Sequence, residues 1–147
     1  TTRRVLGSFL TWLAEKKSRV FVVATANDIT SLPAELIRKG RFDEIFFVDL
    51  PDTTARVEIF RIHTRRRSID LNEAELAALA ARAEGFTGAE IEQAVVSAAY
   101  HVHGRDTPLD ARAIAREIER TRPLSVVMAE KVAALRAWAA DRTVAAD

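Results

Sequence analysis

The chain of 147 residues is 48% hydrophobic and 29% charged, which is typical of one or two small globular domains and not of a disordered chain. Its net charge of +1 provides no overall field that would attract nucleic acid or an anionic membrane, so neither is expected as a partner. The chain contains no cysteine, which excludes disulfides and cysteine–zinc sites and favours a reducing, cytoplasmic location, and its apolar runs are too short to span a bilayer.

The first third of the chain combines helical and strand patterns. Apolar residues from Val5 to Leu13 recur at helical spacing, whereas the run VFVVATA is short, continuous and β-branched, as in a strand covered on both faces of a parallel sheet. Pro33 and Gly40 suit the first turn and the end of a short helix between two strands. The predicted elements are a helix at 4–15, a strand at 20–26, this short helix, and a second strand, EIFFVDL, at 44–50.

After Pro51 the pattern is helical throughout. Asn72, Thr87 and Asp110 are predicted N-caps, because their side chains can accept hydrogen bonds from the free backbone amides at a helix start. The predicted helices are 53–65, 72–83, 88–102, 110–120 and 125–142. Apolar residues at spacings of three and four predict two buried helix faces. The first consists of Ile91, Val95, Ala98 and Val102, and the second of Met128, Val132, Leu135 and Ala139.

These patterns divide the chain into an α/β part at 1–52 and an all-α part at 53–147. Two buried parallel strands need neighbouring strands, and the sequence contains no others. We therefore expect residues 1–52 to be the C-terminal portion of an α/β domain whose beginning lies upstream.

Three polar side chains stand at the ends of predicted elements in this first part. Asn27 follows the strand at 20–26, at the sheet edge where ligands bind in open α/β folds, although it could equally start a turn. Arg38 and Arg41 precede the second strand, and a planar guanidinium that is always charged suits phosphate. The alternative for both arginines is a solvated basic turn that pairs with local acidic residues and contributes little to stability.

Two further patterns indicate no site. His101 and His103 lie two residues apart on a predicted helix, so they do not share a face, which argues against a metal site. The run Arg65 to Arg67 is interpreted as a solvated helix end favoured by the helix dipole. No metal-binding residues are therefore predicted in this chain.

Four segments, in order, resemble the ATPase module of the AAA branch of the AAA+ family. They are VFVVATAND, LPAELIRKGRFD, IFFVDLPD with ARVEIFRIH, and GFTGAEIEQAVVSAA, and the resemblance runs from about residue 3 to about residue 120. The segments FLTWL and GRFDEIFFVDLP are similar to the sequences of a bacterial and plastid group of AAA proteins whose cellular task is poorly defined. The resemblance implies the last strands of a P-loop NTPase parallel sheet, followed by the AAA+ helical lid domain.

The resemblance also implies roles for individual residues. Asn27 matches the sensor-1 asparagine, which touches the γ-phosphate and orients the attacking water. Arg38 and Arg41 match paired arginine fingers, which act in trans on the nucleotide of a neighbouring subunit. The lid residues that lie near the nucleotide are matched by His63, Gly88 and Ala89.

Other family features are absent or altered. No G-x-x-x-x-G-K-[ST] loop is present, so the ligands of the ATP phosphates and of Mg²⁺ are expected upstream, together with the Walker B acids. The strand that ends at Asp49 imitates Walker B, but it follows sensor 1 and lacks the next glutamate. Glu44 stands where the family often has arginine, and the lid lacks a sensor-2 arginine, as in the AAA branch. We expect this chain alone to be inactive.

Two functions are compatible with these patterns. The first is the C-terminal part of an AAA+ ATPase that uses ATP and Mg²⁺ in a homo-oligomeric ring, hexameric by family resemblance, to remodel an unknown macromolecular substrate. The second is a non-enzymatic helical module for interaction or oligomerisation that binds a partner through its apolar stripes. A P-loop and a Walker B strand upstream would favour the first.

Overall fold

The computed structural model describes residues 2–15, 19–29, 32, 42–103 and 108–146. The chain divides into two compact units. The terminal unit comprises Thr1–Phe47 with Trp138–Asp147, and the helical unit comprises Val48–Ala137. The predicted all-α part begins at residue 53, whereas the helical unit begins at Val48. The short helix predicted after Pro33 lies outside the described residues.

Helices dominate the described part of the chain. In order, the elements are α1 Thr2–Glu15, β1 Phe46–Phe47, α2 Thr53–Arg65, α3 Glu73–Arg82, α4 Gly88–Val102, α5 Ala111–Arg120, α6 Leu124–Val127, α7 Ala129–Ala139 and β2 Val144–Ala145. The first five helices lie within two residues of their predicted bounds, so these predictions are confirmed. Within the described ranges, no helix combines the length and the apolar character needed to cross a bilayer.

Side-chain caps start three helices of the helical unit where the sequence predicts them. Asn72, Thr87 and Asp110 each accept a hydrogen bond from the backbone amide three residues on, at 3.0, 3.2 and 2.9 Å respectively. Asp52 caps α2 in the same way, through the Ala55 amide at 2.7 Å. Each cap satisfies an amide that the helix itself leaves unpaired, which contributes about 1 kcal/mol.

The core of the helical unit lies among α2, α3, α4 and α5, which pack as the pairs α2–α3, α4–α5, α2–α4 and α3–α5. The predicted stripe of α4 is confirmed, because three of its residues are buried and Val102 packs against the edge of the core. Burial of one such aliphatic or aromatic side chain contributes about 1.5–3 kcal/mol. The largest fully buried apolar side chains are Phe60, Leu76, Leu79, Ile91, Ile114 and Val95.

Arg56 of α2 is a buried cation, with 7% of its surface exposed. Its guanidinium donates to the Ala80 carbonyl at 2.9 Å, to the Pro51 carbonyl at 2.8 Å and to the Thr53 hydroxyl at 3.1 Å. These neutral acceptors satisfy a charge whose burial would otherwise be costly. The three bonds join the start of the helical unit, the first turn of α2 and the backbone of α3.

The predicted helix at 125–142 is divided in the structure, so the prediction of one continuous helix is wrong. α6 ends at Val127, Met128 has φ −118° and ψ 32°, and α7 begins at Ala129. Two causes act on this segment. The Ser125 hydroxyl donates to the Gly85 carbonyl at 2.6 Å, which holds the first turn from the side. The next two residues are β-branched valines, which favour helix weakly.

The terminal unit contains a two-stranded parallel sheet, in which Phe46 pairs with Val144 and Phe47 with Ala145. A parallel sheet followed by a mostly helical region agrees with the predicted fold class. β1 lies inside the strand predicted at 44–50, but β2 is not predicted from the sequence.

The strand predicted at 20–26 is wrong. Residues 19–29 form no strand, and Phe21 and Val23 are 92% and 76% exposed. An apolar strand of this type is stable only when other strands flank it and both its faces are covered. Within the described ranges, the only strand pairing joins β1 to β2.

Candidate functional site

The first turn of α4 carries two of the predicted nucleotide-contacting residues, Gly88 and Ala89. A reciprocal capping box fixes this turn. The Glu90 amide donates to the Thr87 hydroxyl at 3.2 Å, and the Glu90 carboxylate accepts from the Thr87 amide and hydroxyl, each at 2.8 Å. The sequence Thr-Gly-Ala-Glu therefore builds a rigid helix start in which the two central residues carry no bulky side chain.

Gly88 lies close to helix α2. A β-carbon added at this position would lie 3.6 Å from Ile59 Cδ1, which is an ordinary contact distance. Alanine would therefore fit here, and the packing of α4 on α2 does not by itself require glycine. Ala89 is exposed. Gly88 is partly exposed, so both residues reach the surface at the start of α4.

His63 lies near the end of α2, with 13% of its side chain exposed. Its Nδ1 is 3.4 Å from Glu92 Oε1 of α4, yet this buried nitrogen forms no hydrogen bond within the described residues. The imidazole and the carboxylate therefore lie close together without a hydrogen bond between them. Arg67 contacts both residues. Its guanidinium donates to the His63 carbonyl at 3.0 Å and lies 3.9 Å from the Glu92 carboxylate.

The predicted site residues belong to different units, and two of them lie outside the described residues. His63, Gly88 and Ala89 belong to the helical unit, on the packed pair α2 and α4. Asn27 belongs to the terminal unit, where it is exposed in a segment without helix or strand. Arg38 and Arg41 lie outside the described residues, so their predicted roles stay predictions.

Small residues at the start of α4 lie on a helix that packs against the helix of His63. Small residues at the start of α4 permit a flat ring to approach the backbone closely, and an exposed edge of His63 remains on the neighbouring helix. These residues could bind the base and sugar of a nucleotide. Within the described ranges, no group of three or more histidine or acidic residues is arranged to hold a metal ion.

The shifted pKa values in the helical unit belong to two ion pairs that include none of these residues. Arg136 donates to both carboxylate oxygens of Asp49 at 2.8–3.0 Å and lowers the pKa of Asp49. Arg61 does the same for Glu73, through bonds of 2.5 and 2.9 Å. Asp49, which imitates a Walker B aspartate in the sequence, is therefore an ion-pair partner in the fold.

The sequence interpretation missed Glu90 as part of the site. A threonine followed three residues later by glutamate is the signature of a capping box, so this signal was present. The second contact of Glu90, from the Leu124 amide at 2.7 Å, joins residues 34 positions apart, and no sequence pattern indicates it.

Comparison with known protein families gives two matches in chain order. Residues 1–50 match the family described as ATPase family associated with various cellular activities (AAA). Residues 73–119 match the AAA+ lid domain, which includes α3, α4 and most of α5. The lid match contains Gly88 and Ala89.

Similar proteins include two AAA domain-containing proteins and a nucleotidase. The chain is 44% identical over 142 residues to the uncharacterized AAA domain-containing protein ycf46 of Pyropia yezoensis, covering 96% of the chain and 29% of that protein. The corresponding protein of Guillardia theta is 43% identical over 142 residues, covering 95% and 28%. A proteasome-activating nucleotidase of Saccharolobus islandicus is 42% identical over 81 residues, covering 55% and 20%.

The chain thus spans less than a third of the length of these relatives. The two family matches lie in the order that the sequence motifs predict, and the plastid relatives match nearly the whole chain. The chain belongs to the AAA family of ATPases and carries the AAA+ lid domain.

Proposed function

We propose that this chain works as the C-terminal part of an AAA+ ATPase that couples Mg-ATP hydrolysis in a homo-oligomeric ring to the remodelling of a macromolecular substrate, such as a protein. The observation that carries the proposal is the order of the two family matches, with a lid helix whose first turn presents Gly88 and Ala89. The similarity to a proteasome-activating nucleotidase supports ATP-driven work on a protein. A cytoplasmic location and a hexameric ring belong to the same proposal.

Each predicted residue has one role in this proposal. His63, Gly88 and Ala89 bind the base and sugar in their own subunit, and Asn27 orients the attacking water there. Arg38 and Arg41 stabilise the charge that develops on the phosphoryl group in the neighbouring subunit. Residues outside this sequence would hold the phosphates and Mg²⁺, because none of its five glycines lies in a phosphate-binding loop.

Steady-state ATP hydrolysis by the full-length protein tests the proposal. We expect Asn27→Ala to lower kcat about 100-fold, because water positioning contributes to the chemical step. Gln93→Ala, which alters an exposed side chain of α4, is the matched control and should keep the wild-type rate. A full-length wild-type protein without ATPase activity would contradict the proposal and favour a non-enzymatic interaction module.

The isolated chain of 147 residues provides a second test. We expect it neither to bind nor to hydrolyse ATP appreciably, because its residues reach only the base, the sugar and the edge of the phosphates. Micromolar ATP affinity in calorimetry with this chain would show that the phosphate ligands have been assigned wrongly.

A further inference from the structure

The carboxylate of Glu90 holds two separate segments of the helical unit. Its Oε2 accepts from the amide and the hydroxyl of Thr87, which caps α4. Its Oε1 accepts from the backbone amide of Leu124, the first residue of α6, at 2.7 Å. One side chain therefore fixes both the turn that carries Gly88 and Ala89 and the start of α6.

A second bond joins the same two segments. The Ser125 hydroxyl donates to the Gly85 carbonyl at 2.6 Å, just ahead of the capped turn. Gly85 has φ +78°, a conformation that glycine adopts without strain. Two successive residues of α6 thus bind the first turn of α4 and the connection between α3 and α4.

α6 depends on these contacts for its position. It is four residues long, its N-cap Pro123 provides no side-chain hydrogen bond, and none of its residues is buried. A helix of one turn has no stability of its own. α6 also lies beyond the last residue that matches the lid family, residue 119.

We infer that Glu90 is a positioning residue that links the order of the nucleotide-contacting turn of α4 to the order of α6. Its three hydrogen bonds use both carboxylate oxygens, so the capped turn and the start of α6 gain or lose order together. The next step rests on the proposed function. If Gly88 and Ala89 bind nucleotide, nucleotide binding also stabilises α6 in its position. The lid could thereby signal its occupancy to the segment that follows it.

The substitution Leu124→Pro removes the backbone amide of α6 that donates to Glu90. Proline is tolerated at the first position of a helix, where the amide has no partner within the helix. The preceding residue, Pro123, already has φ −64° and ψ 146°, which suits a residue before proline. Leu124→Ala is the matched control, because it shortens the same side chain and keeps the amide.

Hydrogen exchange of the full-length protein without nucleotide tests the link itself. In Leu124→Pro we expect amides of residues 86–91 to exchange about three- to tenfold faster than in Leu124→Ala, as expected for the loss of one hydrogen bond. Equal exchange in the two variants would overturn the inference. If Leu124→Pro loosens α5 as well, Glu90→Gln decides, since glutamine can serve the capping box but cannot accept from both segments. It should speed exchange at residues 125–128, and wild-type exchange there would overturn the link.

A nonhydrolysable ATP analogue tests the connection to nucleotide. We expect it to slow exchange at residues 125–128 in the wild type and in Leu124→Ala, but not in Leu124→Pro, whose KM for ATP should rise three- to tenfold with kcat unchanged. Slowing in Leu124→Pro would overturn the connection. If the analogue slows exchange nowhere in the wild type, the proposed function fails, and the comparison without nucleotide still decides the role of Glu90.

Discussion

The Ser125 hydroxyl oxygen lies 2.7 Å from the position that a β-carbon on Gly85 would occupy, and the same oxygen donates its hydrogen bond to the Gly85 carbonyl. Gly85 therefore meets two requirements that disfavour other residues. Its φ of +78° strains a residue with a β-carbon, and a β-carbon there would displace the Ser125 hydroxyl. Gly88, three residues on, meets neither requirement, because a β-carbon there would make an ordinary contact with Ile59.

The first prediction is that Gly85→Ala destabilises the protein by about 2 kcal/mol. The substitution imposes a strained φ and displaces the Ser125 hydroxyl from its acceptor. Gly88→Ala is the matched control and should change the free energy of unfolding by less than about 0.5 kcal/mol. Urea denaturation of both variants measures the difference, and equal midpoints would show that the Gly85 contact is dispensable.

The second prediction concerns ATP affinity in the full-length protein. Gly88→Ala should weaken ATP binding about tenfold, because a methyl group would separate the backbone from the base, while the fold is retained. Isothermal calorimetry with ATP measures the change. Wild-type affinity would mean that the base does not approach the Gly88 backbone closely.

The third prediction is that Arg56→Met destabilises the protein by about 2–4 kcal/mol. Methionine fills a similar volume but leaves the Ala80 and Pro51 carbonyls without their donor. Arg112→Met, on the exposed side of α5, should be neutral within about 0.5 kcal/mol. Thermal or urea unfolding compares the two, and a neutral Arg56→Met would show that water replaces the guanidinium.

The fourth prediction concerns the pH dependence of the Asp49–Arg136 ion pair. Arg136 lowers the pKa of Asp49 below its usual value of 3.8, so the pair stabilises the fold above that pH and loses its effect as the pH falls through the folded-state pKa. The side chains are 40% and 50% exposed, and the contribution is therefore modest and reduced by salt. Urea midpoints of the wild type and Asp49→Asn should differ at neutral pH and converge in acid. A constant difference would contradict the assignment.

The fifth prediction tests the arginine fingers in the full-length protein. Arg38→Ala or Arg41→Ala should lower kcat about 1,000-fold while ATP affinity is nearly unchanged, because a finger acts on the transition state in a neighbouring subunit. Lys39→Ala is the matched control and should retain activity. Turnover and nucleotide binding are measured separately for each variant.

Mixing subunits separates action in trans from action within one subunit. Arg41→Ala subunits mixed with subunits that lack their P-loop lysine should regain activity where an intact finger meets an intact pocket. Asn27→Ala subunits in the same mixture should regain none, because every intact pocket then carries the altered sensor. Identical behaviour of the two mixtures would restore the interpretation of a solvated basic turn.

Features that depend on local sequence could be predicted, and long-range contacts could not. The bounds predicted at 53–65 and 88–102 coincide with Thr53–Arg65 and Gly88–Val102, because caps and apolar spacing are properties of neighbouring residues. The strand at 20–26 failed because its stability depends on flanking strands that its own residues do not specify.

The candidate site shows the same limit. Gly88 and Ala89 could be located from a motif, and the capping box explains how their turn is held. The bonds from Leu124 to Glu90 and from Arg136 to Asp49 join residues 34 and 87 positions apart. Such pairs arise when distant segments of the chain pack together, and a single sequence carries no local pattern that specifies them.

The Asp49–Arg136 pair has a topological consequence, since these are the second and the next-to-last residues of the helical unit. The polypeptide enters and leaves this unit at neighbouring points on its surface. A short linker could therefore join the two ends, and new termini could be opened in an exposed connection elsewhere. The ends of the helical unit are thus close together, which is the geometry required for circular permutation or for insertion into a surface loop of another protein.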